Sequence, residues 1–108
     1  MWFIFPQISG LGRSAMARRY AIATIDEARA YLRHPVLCSR VHASSEALLV
    51  WAGKRSAVEI LGPIDAMKLK SSMTLFEAAE DDVNAPFAAV LDRFFAGARD
   101  PATIDRLT

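Results

Sequence analysis

Lys68, Ser71, Ser72 and Thr74 combine the residue types and spacing that permit chemistry. Lys68 and Ser72 stand four apart and share one face of a helix, with Ser71 beside them one turn above Lys68. A lysine among hydroxyls suits a phosphate or a carboxylate. Serine beside lysine is also the pattern of a nucleophile pair. The plainer alternative is a solvated helix face whose serines stay small for close packing. A second group is Gly10-Leu11-Gly12-Arg13-Ser14. Free N–H groups at a helix start favour an anion, and Arg13 adds a charge-assisted donor. The run matches neither the Walker loop nor the dinucleotide fingerprint, and a tight turn capped by Ser14 is the simpler reading. Gln7 follows Pro6 among bulky apolar residues. Its amide needs partners once buried, and either a ligand or a helix end supplies them. The candidate ligand-binding set is Gln7, Arg13, Ser14, Lys68, Ser71 and Ser72.

Other reactive side chains carry less. His34 and His42 are eight apart without paired carboxylate spacing, so no metal site is expected. His34 precedes Pro35 at a helix junction, where its imidazole is expected to cap the last carbonyls of the preceding helix. Cys38 is a nucleophile by type, yet no histidine is placed as its base, and a small buried hydrophobe is expected. Glu77, Glu80, Asp81 and Asp82 make an acidic patch that reads as a solvated helix end rather than a metal cage. Trp2, Phe3, Phe5 and Trp51 have the rings to stack on an adenine, but aromatic residues dominate ordinary cores, and core is expected for all four. No cofactor is implied.

The elements that must position these residues are helical. Ser14 is a cap for a short helix over roughly residues 15–23. Thr24-Ile25-Asp26-Glu27 is a capping box for a helix carrying Ala28, Tyr31 and Leu32 on one face and stopping at His34 before Pro35. Pro35 suits the first turn of the next helix, where Leu37, Val41, Leu48, Leu49 and Ala52 recur at helical spacing up to Gly53. Ser56-Ala57-Val58-Glu59 is a second capping box, closed by Gly62-Pro63. Asp65 is the expected cap of a helix from Ala66 to Ala79, with Leu69, Met73 and Phe76 inward and Leu75 beside them. Pro86 restarts the pattern, Phe87, Val90, Leu91, Phe94 and Phe95 form an apolar stripe, and Gly97 closes it. Asp100-Pro101 is a cap-plus-first-residue pair for a last turn. The expectation is an all-α fold of about six or seven helices, with a short extended segment over residues 2–8.

Length and composition agree. The 108 residues suffice for one domain and one core, spanning 1–108. An apolar fraction of 53% with 23% charged is globular. A net charge of +1 weighs against bulk nucleic acid as a partner. No apolar stretch approaches the roughly 20 residues needed to span a bilayer, and no membrane partner is expected. The single cysteine excludes an intramolecular disulfide and points to reducing cytoplasm.

Three stretches together resemble one family: Trp2-Phe3-Ile4-Phe5-Pro6-Gln7-Ile8-Ser9-Gly10-Leu11-Gly12-Arg13-Ser14, Glu27-Ala28-Arg29-Ala30-Tyr31-Leu32-Arg33-His34-Pro35-Val36-Leu37, and Lys68-Leu69-Lys70-Ser71-Ser72-Met73-Thr74-Leu75-Phe76. Val90 to Gly97 and Asp100-Pro101 also fit. The chain resembles the bacterial domain of unknown function DUF1810 over nearly its whole length. The resemblance implies an all-helical fold and no established activity. Some members carry the label calpastatin, which a compact apolar sequence does not support. Cys38 stands where the family usually has glycine. Members usually carry a further helix-bearing segment before the motif that here begins at Trp2, so the chain is expected to be N-terminally truncated relative to the family. Each large side chain left wet forfeits roughly 1.5–3 kcal/mol, against a total stability of about 5–15 kcal/mol. Marginal stability, or self-association through the uncovered surface, is therefore expected.

Three functions stay open. One is a binding module in which the Gly10–Ser14 loop and the Lys68–Thr74 face hold a small anionic, nucleotide-like ligand. Another is an enzyme acting on such a ligand, with Arg13 and Lys68 stabilising charge and Glu27, Asp65 or His34 moving protons. The third is a protein-interaction domain without a small-molecule site.

Overall fold

Helix starts are the strongest local signals in the chain, and the fold is built from them. The structure is a computed structural model that describes Phe5, residues 21–82 and residues 84–107. Six helices occupy most of these residues, and no strand occurs among them. Helix α1 (Ile25–Arg33) begins at Thr24, whose Oγ1 accepts the Glu27 N–H at 3.1 Å. Glu27 does reach back, but it accepts from the Ala23 N–H at 2.8 Å rather than from Thr24. Ala21 to Ala23 are not helical, so the helix expected over 15–23 does not extend through them. Thr24 is extended at φ −142°, ψ 166°, and the Ala23 N–H is committed to Glu27. Residues 15–20 lie outside the described residues, as does the segment 2–8 apart from Phe5.

Pro35 ends α1 at His34 and opens α2 (Pro35–Leu49). Gly53 was the expected stop of α2. The helix ends at Leu49 instead, and Gly53, at φ 81°, belongs to the turn that follows. Ser56 and Glu59 complete both halves of their capping box and start α3 (Ala57–Leu61). At φ 86°, Gly62 takes a backbone conformation that side chains resist. The chain thereby turns directly into α4 (Pro63–Ala79). This helix starts three residues before the expected Ala66, because Pro63 is already suited to its first position. Asp65 therefore sits inside the first turn, near the positive end of the helix, and not at the cap.

Helix α5 (Pro86–Phe95) ends where Ala96 and Gly97 both turn left-handed, at φ 53° and 79°. Helix α6 (Pro101–Leu107) is capped as its sequence suggests, the Thr103 N–H donating to Asp100 Oδ2 at 3.1 Å.

Helix α4 is the hub. α1, α3, α5 and α6 all pack on it, while α2 packs on α1 and α5. Residues 71–76 are consequently buried without a break. Leu69, Met73, Leu75 and Phe76 are fully covered, and Val41, Phe87, Val90 and Leu91 meet them from α2 and α5. A line of rings crosses this core: Tyr31 to Phe76 at 5.2 Å, Phe76 to Phe87 at 5.6 Å, and Phe87 edge-on to His42 at 5.1 Å. Phe5 and Ile22 join the same cluster. Among the described residues no helix is long and apolar enough to cross a membrane.

Candidate functional site

A buried serine or threonine on a helix commonly donates its hydroxyl to the carbonyl four residues back. Ser45 does so to Val41 at 2.7 Å, Ser71 to Met67 at 3.1 Å, and Thr74 to Lys70 at 2.8 Å. Ser72 does not. It is 0% exposed, and its Oγ has no hydrogen-bond partner among the described residues. A buried hydroxyl left without a partner costs about 1–3 kcal/mol. Lys68 lies one turn earlier on the same face. Most of its stem is covered, and its ammonium is 3.7 Å from Asp65 Oδ1. The α4 edge thus pairs a largely covered cation with an uncommitted hydroxyl donor.

Ser71 and Thr74 serve a different purpose. The single Ser71 hydroxyl proton is shared between the Met67 carbonyl and Asp100 Oδ2, the latter at 3.0 Å, and Thr74 Oγ1 accepts the Asp100 N–H at 2.9 Å. The same Asp100 oxygen accepts from the Thr103 hydroxyl at 2.5 Å. This cluster ties the start of α6 to the middle of α4. Both side chains are buried where α6 packs on α4, so of the plain reading of the sequence the close packing holds and the solvated face does not.

Arg99 makes the neighbouring tie. Its guanidinium engages Glu77 through two parallel bonds, Nε to Oε1 at 2.8 Å and Nη2 to Oε2, and Nη1 reaches Asp92 at 3.2 Å. The bonds to Glu77, more than the nearby charges, hold its pKa above the usual arginine value. Sequence reading found Asp100 only as a cap and missed Arg99. The partners that tie them to α4, namely Ser71, Thr74 and Glu77, lie more than twenty residues away, where no spacing rule reaches.

Gln7, Arg13 and Ser14 lie outside the described residues, as do Trp2 and Phe3. Phe5 is core, at 5% exposure. Trp51 is not: it is 50% exposed, because α2 ends at Leu49 and the following turn carries the indole outward. His34 caps the opposite helix from the one expected. Its Nδ1 accepts the Leu37 N–H of α2 at 3.3 Å, while its main-chain N–H donates to the Tyr31 carbonyl of α1. The proton of the neutral ring therefore belongs on Nε2. Glu27 is committed to its cap and Asp65 to Lys68.

Cys38 and His42 follow each other by one turn on α2. His42 Nε2 stands 3.9 Å from Glu80 Oε2 and has no hydrogen bond among the described residues. Burial, and then the Glu80 charge, push the Cys38 thiol up, which opposes nucleophile formation. Glu77, Glu80, Asp81 and Asp82 line a cavity of about 260 Å³ over Phe87. No group of three or more His, Cys, Asp or Glu able to hold a metal occurs among the described residues.

The cavity beside Glu80 and the one at the α2–α3 turn, both lined by described residues, do not include Lys68, Ser71 or Ser72. No curated protein matches the chain. The crystal structure of the conserved hypothetical protein Rv1873 from Mycobacterium tuberculosis, at 1.38 Å, is similar to it, with a TM-score of 0.92 and 44% sequence identity. That similarity covers 98% of this chain and 74% of the other. The profile of the family described as "Protein of unknown function (DUF1810)" matches residues 1–107. With the match and the helical architecture in agreement, the chain belongs to the DUF1810 family.

Proposed function

We propose that the domain binds a small anionic, nucleotide-like ligand at the Lys68–Ser72 edge of α4. Gln7, Arg13 and Ser14, taken from the sequence motif, are the further ligand contacts of this proposal. The observation that supports this reading is Ser72. Its neighbours in the helix spend their hydroxyls on carbonyls, whereas Ser72 keeps a buried donor uncommitted. An anion oxygen is the partner such a donor suits best, and a largely covered lysine one turn away supplies the charge. Ser71 holds α6 in place behind the site.

No catalytic step is assigned. Glu27 and His34 are occupied as helix caps, and Asp65 faces Lys68. A thermal-shift screen across nucleotides and phosphorylated metabolites tests the proposal. Lys68→Ala and Arg13→Ala are each expected to weaken any hit about tenfold, the loss of one charge-assisted hydrogen bond. Hits that survive both substitutions unchanged would place the ligand elsewhere. A screen without hits would leave a protein-interaction domain as the better description.

A further inference from the structure

The turn between α2 and α3 carries a surface that the α4 site does not use. Trp51 is half exposed there, and the neighbouring Val50 is more exposed still. Trp51 and Ile60 wall a cavity of about 340 Å³, with Arg55 and Glu59 as its other lining residues. A second cavity of about 330 Å³ shares Arg55 and Glu59 and adds Lys54 and, from α5, Arg93. The two therefore adjoin. One has an aromatic and an aliphatic wall. The other gathers three cations against a single carboxylate.

Charge in the second cavity is only partly balanced. Arg55 meets Glu59 at 3.8 Å, a loose and solvent-exposed pair. Lys54 and Arg93 make no ion pair among the described residues. One oxygen of Glu59 is held by the Ser56 N–H at 2.9 Å, which fixes the carboxylate in place.

We infer that this surface holds a nucleoside monophosphate. Lys54, Arg55 and Arg93 take the phosphate, the base lies against Trp51, and Glu59 accepts from a sugar hydroxyl. Each part is matched by chemistry. Guanidinium groups recognise phosphate oxygens, and an exposed indole is a stacking platform for a flat ring. A fixed carboxylate between them accepts hydrogen bonds from hydroxyls and discourages further phosphate charge. The net charge of +1 and the short extent of the patch favour one phosphate over a polymer.

Calorimetric titration of the full chain with adenosine, guanosine, cytidine and uridine monophosphates tests this. Inorganic phosphate and the free nucleosides serve as separate arms. At least one monophosphate is expected to bind about tenfold or more tightly than either of its parts, and less tightly as salt rises. Arg93→Ala and Lys54→Ala should each weaken it about tenfold, and Trp51→Ala should reduce it to the level of phosphate alone. All three side chains are exposed, so the variants should melt with the parent by circular dichroism. Binding of none of the four, equal binding of phosphate alone, or indifference to Arg93→Ala and Trp51→Ala would each overturn the inference. The two sites are told apart by which variants act: binding weakened by Arg93→Ala and Trp51→Ala belongs to this surface, whereas binding weakened by Lys68→Ala alone belongs to the α4 site and overturns the inference, so the two proposals fail separately.

Discussion

Removing one hydroxyl from the middle of α4 should make the protein more stable, whereas removing its neighbour should do the reverse. Ser72 is fully buried with no hydrogen-bond partner among the described residues, so Ser72→Ala deletes an uncompensated polar group. The relief is about 1–3 kcal/mol, and alanine adds a few tenths of a kcal/mol of helix preference, roughly the serine–alanine difference. Ser71→Ala removes a bond to the Asp100 carboxylate, a loss of about 1.5–3 kcal/mol. In a domain of this size each kcal/mol moves Tm by about 4–8 °C. Thermal and urea unfolding followed by circular dichroism should therefore displace the two variants to opposite sides of the parent. The pairing controls for helix position, since the residues are adjacent on one helix. If Ser72→Ala falls as far as Ser71→Ala, the Ser72 hydroxyl is bonded, and the observation supporting the α4 ligand site is gone. If it rises while ligand binding weakens, stability has been exchanged for function at one atom.

Asp100→Ala should cost about 3 kcal/mol or more, because it leaves the Ser71 and Thr103 hydroxyls and the Thr103 N–H without their acceptor. The urea midpoint reads this directly. Gly62→Ala should destabilise by about 1 kcal/mol or more through the φ of 86° alone, since no neighbour would crowd the added methyl. An unchanged melt would show that the α3–α4 junction relaxes freely. Cys38 should alkylate more slowly at neutral pH than a free thiol, its rate rising only above the ordinary thiol range, and Glu80→Gln should accelerate it. Since the folded-state value is raised, the associated stability is fully present below the unfolded thiol pKa. It is lost as pH rises through the folded value.

Much of the helical framework was legible because its signals act within three or four residues. Thr24, Ser56 and Asp100 each cap a helix through a side chain reaching one turn ahead. Pro35, Pro63 and Pro86 each open one through a constrained φ. The apolar positions of α4 and α5 likewise followed from periodicity, which needs nothing beyond the helix itself. The family resemblance rested on equally local motifs and was sound.

What only the tertiary structure decided was the fate of the polar side chains and of Trp51. Ser71, Ser72 and Thr74 look alike in sequence, yet two are bonded to α6 and one is left over. The difference arises because Asp100 arrives from the far end of the chain. His34 faces two helix ends, and the relative orientation of α1 and α2 selects one of them. Trp51 lies outside the core because α2 stops two residues before it. A side chain's type sets which bonds it is able to make. Which of them it makes depends on what packing brings within about 3 Å, and that information is spread over the whole chain.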